Sequence, residues 1–193
     1  MKIILASKSP RRQALMDLAG FDYDVLVSDV DETIKENMSL ENKSKEIAFR
    51  KAKAIFDNTQ DDRIIIAADT LVIKNEEAFG KPKSRQEAIS MLKKLQGSMH
   101  KIYTSLIVLV ENDGKFKEYK ELFPVEVFVK PMDSKEIENY VDSNVDDIYD
   151  KAGAYAIQGR FSIFIDKIIG NYTAVLGLPI QRVYEILKEN DAL

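Results

Sequence analysis

The feature that most limits the fold of this chain is an apolar run, RIIIAA at 63–68, which is followed directly by Asp69. An unbroken run of this kind is typical of a central strand that is buried on both faces. Strand and helix patterns are interleaved on both sides of it, which favours an α/β or α+β fold around one mixed sheet. The 193 residues contain no repeat and no linker-like segment, so we expect a single domain over 1–193.

Local signals predict the other elements. Proline is favoured at the first helical position, so Ser9 and Pro10 predict a helix start. The remaining helices, strands and turns are predicted from helix-capping residues, turn residues and periodic apolar positions. The expected elements are a strand at 1–6, a helix from Pro10 to Gly20, a strand at 21–27, a helix at 39–58, strands at 63–68 and 71–74, a helix capped by Ser84 and Glu87, a hairpin at 112–114, a helix capped by Asp133 and Glu136, a strand at 161–168 and a helix from Pro179.

The composition excludes several classes of protein. Without cysteine the chain has no disulfide framework, no thiolate nucleophile and no cysteine-ligated zinc site. The sequence has a single histidine, His100, which excludes a histidine-cluster metal site. We expect His100 to have a structural rather than a catalytic role. A net charge of −4 disfavours nucleic-acid binding, which needs a basic surface. The N-terminus is too charged for a signal peptide and the apolar runs are too short for a membrane span, so we expect a cytoplasmic protein with no membrane partner.

Two arginines at the start of the first predicted helix indicate an anion site. Arg11 and Arg12 follow a strand and a serine-rich loop. Cations are unfavourable at a helix N-terminus, because that end already carries partial positive charge. Their presence there therefore indicates another purpose. A phosphate group bound there would supply that purpose. The alternative is a solvated surface pair.

Lys51 and Asp69 are the next candidates. Lys51 falls on the apolar stripe of its predicted helix, between Ile47 and Ile55. It is either a lysine that extends its ammonium to solvent or the partner of an anion. Asp69 at the end of a buried strand must be hydrogen-bonded, paired or metal-bound, because burial of a bare carboxylate is costly. Strand ends of α/β sheets commonly bind ligands, although Asp69 could instead cap the segment that begins at Thr70.

Three further residues have a functional and a structural interpretation each. Lys81 lies in the stiff turn GKP at 80–82, where its ammonium is either aimed at a ligand or simply exposed. Glu32 belongs to an acidic stretch with Asp29, Asp31 and Glu36 that is either a solvated loop or part of a divalent cation site. Gln158 in GAYAIQG carries the donor and acceptor needed to read a base edge, or it braces the backbone.

Together these cations, carboxylates and the amide match a site for a polyphosphate and a metal ion. Catalysis in such a site consists of positioning, neutralisation of charge and activation of water. The phosphate-binding motifs G-x-x-x-x-G-K-[ST] and G-x-G-x-x-G are both absent from the sequence.

Four segments resemble the Maf family of nucleoside triphosphate pyrophosphatases, once described as septum formation inhibitors. They are SKSPRR at 7–12, AADT at 67–70, GKP at 80–82 and DKAGAYAIQG at 150–159, and LGLP at 176–179 adds to them. The resemblance covers nearly the whole chain in the same order. It implies a two-lobed single domain around an elongated mixed sheet, similar to inosine triphosphate pyrophosphatases (the Maf/Ham1 fold).

The resemblance also implies an activity, which is hydrolysis between the α and β phosphates of a nucleoside triphosphate. Asp69 would be the base that activates water, and Glu32 and Asp69 would bind a divalent cation, Mg²⁺ or Mn²⁺. Four residues would hold the phosphates and three would select the base. The first group is Ser7, Arg12, Lys51 and Lys81, and the second is Arg11, Thr70 and Gln158.

The residues at the three base-selecting positions are similar to those of the subgroup that acts on dTTP and UTP, rather than of the subgroup that acts on 7-methyl-GTP. Ala156, where glycine is common, and Gln96-Gly97, where Ser-Gly is common, are small departures that bear only on fine specificity. The alternative function is a nucleotide-binding regulator of cell division that does not require turnover. A homodimer formed through an exposed apolar edge is a further expectation without a location in the sequence.

Overall fold

The computed structural model describes residues 1–33, 38–143 and 147–193, and these residues form a mixed α/β fold. Seven strands form one sheet in the order β2-β1-β3-β5-β6-β7, and β4 pairs with β3. The strands are β1 (Lys2–Leu5), β2 (Asp24–Val25), β3 (Arg63–Lys74), β4 (Glu77–Phe79), β5 (Met99–Asn112), β6 (Lys115–Val129) and β7 (Ile165–Ile169). The helices are α1 (Pro10–Leu18), α2 (Leu40–Asp57), α3 (Arg85–Leu95), α4 (Ser134–Ser143), α5 (Tyr172–Val175) and α6 (Ile180–Glu189).

The pairing of the strands makes the sheet mixed, as expected. β1 runs parallel to both β2 and β3, with Ile4 opposite Ile65 in the β1–β3 ladder. β4 and β7 are antiparallel to β3 and β6 respectively. The described residues include no helix that is long and apolar enough to cross a membrane.

The chain forms two compact units, each made of separate segments. The first unit comprises Met1–Asp69, Thr104–Phe123 and Thr173–Leu193, and the second comprises Thr70–Tyr103 and Pro124–Tyr172. They are called the first and second unit below.

The core of the first unit lies between α2 and the central strands. The side chains at 64–68 are wholly buried, which confirms that this strand is covered on both faces. Ala48 and Ala52 of α2 pack in one cluster with Ile65 of β3 and Ile4 of β1. Small alanines on the helix let it approach the larger isoleucines closely, and burial of each isoleucine contributes about 1.5–3 kcal/mol.

The second unit has its core around α3 and α4, which pack against each other. Their start signals were correctly predicted. Asp133 Oδ1 accepts a hydrogen bond from Glu136 N, and Glu136 Oε2 accepts one from Asp133 N, both at 2.8 Å. Ser84 Oγ accepts from Glu87 N at 3.2 Å, but the Glu87 carboxylate accepts from Lys83 N instead of closing the reciprocal pair. These bonds satisfy amide groups that a helix start leaves without partners.

The hairpin prediction is also confirmed. Asp113 and Gly114 join β5 to β6, and both have positive φ, at 50° and 69°. A two-residue turn with two positive φ angles matches the twist of the paired strands, and Asp-Gly adopts it readily.

Three strand predictions were wrong in extent. The strand expected at 21–27 is reduced to Asp24–Val25, and Val27 is 49% exposed, because this edge strand pairs with β1 and with no other strand of the described residues. The strand expected at 161–168 begins only at Ile165, after a 3-10 turn in which Ser162 Oγ donates to Gly159 O. The runs at 63–68 and 71–74 form one strand, since β4 continues the ladder beyond Asp69.

Candidate active site

Asp69 lies inside β3 and not at the end of a strand as predicted, and it is only 8% exposed. One carboxylate oxygen, Oδ1, accepts a hydrogen bond from Lys51 Nζ at 3.2 Å. The other oxygen, Oδ2, is buried and has no hydrogen-bond partner among the described residues. A buried oxygen without a partner is costly, so this atom is a natural acceptor for a water molecule or a ligand.

Helix α2 contacts Asp69 through two side chains on one face. Ser44 Oγ donates to the backbone carbonyl of Asp69 at 3.3 Å, and Lys51 binds the carboxylate from two turns further along. The Lys51 side chain is 17% exposed. Its ammonium therefore meets an anion, and the alternative of a lysine that only extends to solvent was wrong.

Glu32 also binds Lys51, with Oε1 at 2.9 Å from Nζ, although the Glu32 side chain is 59% exposed. The backbone around it is held by Arg50 of α2, which donates to the carbonyls of Asp31 and Thr33 at 3.1 and 3.0 Å. Hydrogen bonds from the side chain and then from the backbone N–H of Thr33 lower the pKa of the Asp31 carboxyl, and Asp31 Oδ1 accepts the backbone one at 2.8 Å. The two carboxylates of Glu32 and Asp69 thus converge on one ammonium. Glu36 lies outside the described residues.

Ser7 and Arg12 form a second polar cluster in the first unit. Ser7 is 7% exposed, and its Oγ accepts from Arg12 Nη1 at 3.1 Å and from Ser9 N at 3.2 Å. Arg12 Nε donates to Gly177 O at 2.8 Å. Ser9 occupies the cap position of α1, as predicted, but its side chain makes no capping bond. Arg12 is therefore held on two sides and is not a solvated surface residue; Arg11 is half-buried beside it in the first turn.

In the second unit the GKP turn and the DKAGAYAIQG segment meet. Lys81 Nζ pairs with Asp150 Oδ1 at 2.5 Å, and Gly153 N donates to Gly80 O at 3.0 Å. Lys81 remains 60% exposed, so its ammonium can exchange this partner for another anion. The backbone bond at Gly80 and the pair with Asp150 therefore hold the turn and the side chain of Lys81.

The first glycine of this segment, Gly153, is required by both conformation and space. Gly153 has φ of 74°, in the left-handed region. A Cβ there would lie 3.1 Å from Leu95 Cδ1 and 3.2 Å from Val72 Cγ1. Glycine alone avoids both the strain and the close contacts.

The segment is anchored further along by Tyr155. Its hydroxyl lies 2.5 Å from His100 Nε2, and both side chains are buried. Burial raises the pKa of Tyr155, and burial together with the nearby Lys74 lowers the pKa of His100 to about 4. His100 is therefore neutral at pH 7 and structural, as expected.

Of the three residues expected to select a base, two lie in the second unit. Gln158 is exposed, and its Nε2 donates to Tyr172 Oη at 3.2 Å. Thr70 is half-buried in β3 directly after Asp69. Within the first unit the structure brings together Glu32, Lys51 and Asp69 and, separately, Ser7 and Arg12.

The donor set fits a hydrated divalent cation. No group of three or more histidine, cysteine, aspartate or glutamate side chains in the described part of the chain could hold a metal ion. Mg²⁺, however, keeps several waters and is usually bound by one or two carboxylates together with substrate phosphates. Glu32 and Asp69, whose carboxylates converge on Lys51, supply such a pair.

Several residues of these clusters were not predicted from the sequence. Ser44, Arg50 and Gly177 each hold a predicted residue or its backbone in place. The position of Ser44, seven residues before Lys51 on the same helical stripe, was a signal that could have identified it. The contact between Arg12 and Gly177 joins residues far apart in sequence, and no local pattern indicates it.

The mixed sheet and its helices define an α/β protein. Its first unit holds two polar clusters, a buried carboxylate paired with a lysine and, separately, an arginine held after the first strand. The family comparison makes this specific. The model described as "Maf: Maf-like protein" matches residues 2–190, and the chain belongs to this family.

Its relatives are similar over nearly their whole length. A dTTP/UTP pyrophosphatase of Desulforamulus reducens is 43% identical over 187 residues, which are 96% of this chain and 95% of the relative. A dTTP/UTP pyrophosphatase of Thermoanaerobacter pseudethanolicus is 41% identical over 188 residues, 97% of this chain and 96% of the relative. The match to the solved structure of the Staphylococcus aureus Ham1 protein covers 66% of this chain and 72% of that one, with 18% identity and a TM-score of 0.41.

Proposed function

We propose that this protein is a nucleoside triphosphate pyrophosphatase that hydrolyses dTTP and UTP to the monophosphate and pyrophosphate. Membership of the Maf family and relatives of about 40% identity that carry this name support the proposal. The observation that carries the chemistry is the Asp69 carboxylate, with one oxygen on Lys51 and the other buried without a partner in the described chain.

Asp69 acts as the general base. Its Oδ2 accepts a hydrogen bond from a water molecule and takes the proton as the water oxygen bonds to the α-phosphorus. The bond between the α-phosphorus and the oxygen that bridges to the β-phosphorus breaks, and pyrophosphate leaves with that electron pair. Lys51 and Ser44 hold the carboxylate and the backbone of Asp69, so the base is positioned before substrate arrives.

The cations bind the phosphates. Arg12, fixed by Ser7 and Gly177, offers a planar guanidinium suited to phosphate oxygens. Lys51 neutralises charge next to the reacting group. Lys81 exchanges Asp150 for a phosphate oxygen, a role that we assign from the family resemblance.

Glu32 and Asp69 would hold the divalent cation, Mg²⁺ or Mn²⁺. When bound, the ion neutralises charge on the phosphates and polarises the bond that breaks. The exposed Glu32 carboxylate is available for this role because Arg50 fixes its backbone and leaves its side chain largely open to solvent.

The base is selected by Arg11, Thr70 and Gln158. The amide of Gln158 has both a donor and an acceptor, which complement the N3–H and carbonyl groups of uracil and thymine. Tyr172 holds the Gln158 Nε2 group and limits the orientations of the amide.

We further propose that the whole chain, 1–193, acts as one domain in the cytoplasm and has no nucleic-acid or membrane partner. We also propose that it forms a homodimer, which a measurement of its mass in solution tests. A regulator of septum formation that binds nucleotide without turnover is the alternative. It is disfavoured because a carboxylate beside a phosphate lowers affinity unless it serves the reaction.

The test is an assay of the purified protein with a panel of nucleoside triphosphates plus magnesium or manganese. Release of pyrophosphate from dTTP and UTP, without orthophosphate and with loss of activity on chelation, supports the enzyme, the bond cleaved and the subgroup. Tight nucleotide binding without pyrophosphate release from any nucleotide would favour the regulator.

A further inference from the structure

The turn at 174–177, which binds Arg12, is hydrogen-bonded to Thr104 of β5. The Ala174 carbonyl accepts two hydrogen bonds, from Thr104 Oγ1 at 2.7 Å and from Gly177 N at 2.9 Å. The Gly177 carbonyl in turn accepts from Arg12 Nε at 2.8 Å. All four residues belong to the first unit, and Thr104 and Ala174 are wholly buried.

The turn fixes the direction of the guanidinium. Arg12 Nε is held by Gly177, and Nη1 is held by Ser7 Oγ. The five N–H groups of a guanidinium lie in one plane, so two fixed donors define that plane. A side chain held in its binding orientation loses less conformational entropy when the ligand arrives.

We propose that Thr104 is a positioning residue for phosphate binding, which acts by holding the 174–177 turn whose Gly177 carbonyl orients Arg12. This inference rests on the proposed function, in which Arg12 contacts the substrate phosphates. Thr104 itself touches no substrate. Its hydroxyl keeps the Gly177 carbonyl at the distance and angle that Arg12 needs.

The bonding of Ala174 separates this role from a general role in stability. Thr104→Val keeps the β-branched shape and removes the donor. The Ala174 carbonyl then retains its bond from Gly177 N, so it is not left buried without a partner. The expected loss is therefore in the orientation of Arg12 and not in folding.

The experiment compares Thr104→Val, Thr104→Ser and Ser105→Ala with the unmodified chain. Ser105 is a matched control, because it is the next residue of β5, is wholly buried, and has a hydroxyl without a hydrogen-bond partner in the described chain. We measure KM and kcat for dTTP and the Kd of inorganic pyrophosphate. Thr104→Ala serves as a second variant without the hydroxyl if Thr104→Val folds poorly.

Thr104→Val is expected to raise KM and the pyrophosphate Kd about three- to tenfold, the scale of one hydrogen bond, with kcat changed about twofold at most. Thr104→Ser restores both values, and Ser105→Ala leaves them unchanged. In an Arg12→Ala background the Thr104→Val change has no further effect on the pyrophosphate Kd, because the group that it positions is gone.

An unchanged pyrophosphate Kd in Thr104→Val overturns the inference, as does an equal rise in Ser105→Ala or an undiminished effect in the Arg12→Ala background. Failure of the proposed function is distinguishable. An unmodified chain that binds pyrophosphate but hydrolyses no nucleotide overturns the activity, while the pyrophosphate measurements still decide on Thr104. A chain that does neither overturns both.

Discussion

The Lys51 ammonium binds only one of the two carboxylate oxygens of Asp69. It lies 3.2 Å from Oδ1, whereas Oδ2 is buried and unpartnered within the described residues. A structural ion pair in a protein core normally satisfies both oxygens, because each one left without a hydrogen bond costs about 1–3 kcal/mol. The half-satisfied carboxylate therefore supports the role of base proposed above.

Asp69→Asn is expected to reduce turnover of dTTP about 100-fold or more, since an amide cannot take the proton of the attacking water. The measurement is kcat, together with circular dichroism and the thermal midpoint to verify the fold. Asp22→Asn, at an exposed aspartate of the first unit, is the control and should retain full activity. Unchanged turnover in a folded Asp69→Asn protein would remove the base from the mechanism.

Glu32→Gln is expected to raise the Mg²⁺ concentration needed for half-maximal activity about tenfold, because a neutral amide is a weaker ligand for a hard cation than a carboxylate. Its effect on the thermal midpoint should be small, since the Glu32–Lys51 pair is largely exposed on the Glu32 side. Asp29→Asn in the same acidic stretch is the matched control. Equal metal requirements in both variants would exclude Glu32 as a ligand.

Gln158→Glu is expected to change the ratio of kcat/KM among dTTP, UTP and 7-methyl-GTP, because an acceptor-only group replaces a donor and an acceptor. Gln86→Glu, at an exposed glutamine of α3, introduces the same charge elsewhere in the second unit and should leave the ratio unaltered. If the ratio is the same in both variants, Gln158 does not read the base.

His100 makes the stability of the fold depend on pH. Its pKa is about 4 in the folded protein and about 6.5 when unfolded, so between these values the unfolded chain binds more protons. The stabilisation is present above pH 6.5 and is lost as the pH falls towards 4. The free energy of unfolding of the native chain should fall by up to about 3 kcal/mol more than that of His100→Gln over this interval. Parallel urea titrations at pH 7 and pH 4.5 measure the difference, and identical pH slopes would contradict it.

Gly153→Ala is expected to destabilise the protein by about 1–3 kcal/mol, since the added methyl group meets Leu95 and Val72 in a strained backbone conformation. Gly20 offers a matched control, because its φ of 73° is nearly the same and a Cβ there meets nothing within 4 Å. The difference between Gly153→Ala and Gly20→Ala in free energy of unfolding measures the contact alone. Equal losses would show that only the backbone strain matters.

Much of the fold could be predicted because its signals are local. The apolar run 63–68 identified the central strand, and the Asp133–Glu136 cap and the Asp113–Gly114 turn identified element boundaries from adjacent residues. The strand at 21–27 could not be judged in the same way. Its alternating pattern is that of a half-buried strand, but burial depends on neighbouring strands, and in the part of the chain that the structure describes β2 pairs with β1 alone.

The same distinction applies to the candidate site. Asp69 was identified as a residue whose burial needs a partner, and Lys51 as either a lysine that extends to solvent or the partner of an anion; the structure pairs them with each other. The supports of the site lie far away in sequence. Gly177 O binds Arg12 across 165 residues, and Thr104 binds Ala174 across 70. Such contacts depend on the tertiary fold, which a reading of neighbouring residues does not supply.

The division of the chain into the two units restricts how the protein can be dissected. The chain passes from one unit to the other at 69–70, 103–104, 123–124 and 172–173. A fragment such as 1–103 therefore contains the start of both units and all of neither, and no single protease cut releases a whole unit. Truncation at any of these junctions divides the first unit, so a functional split protein would require both halves to be expressed together.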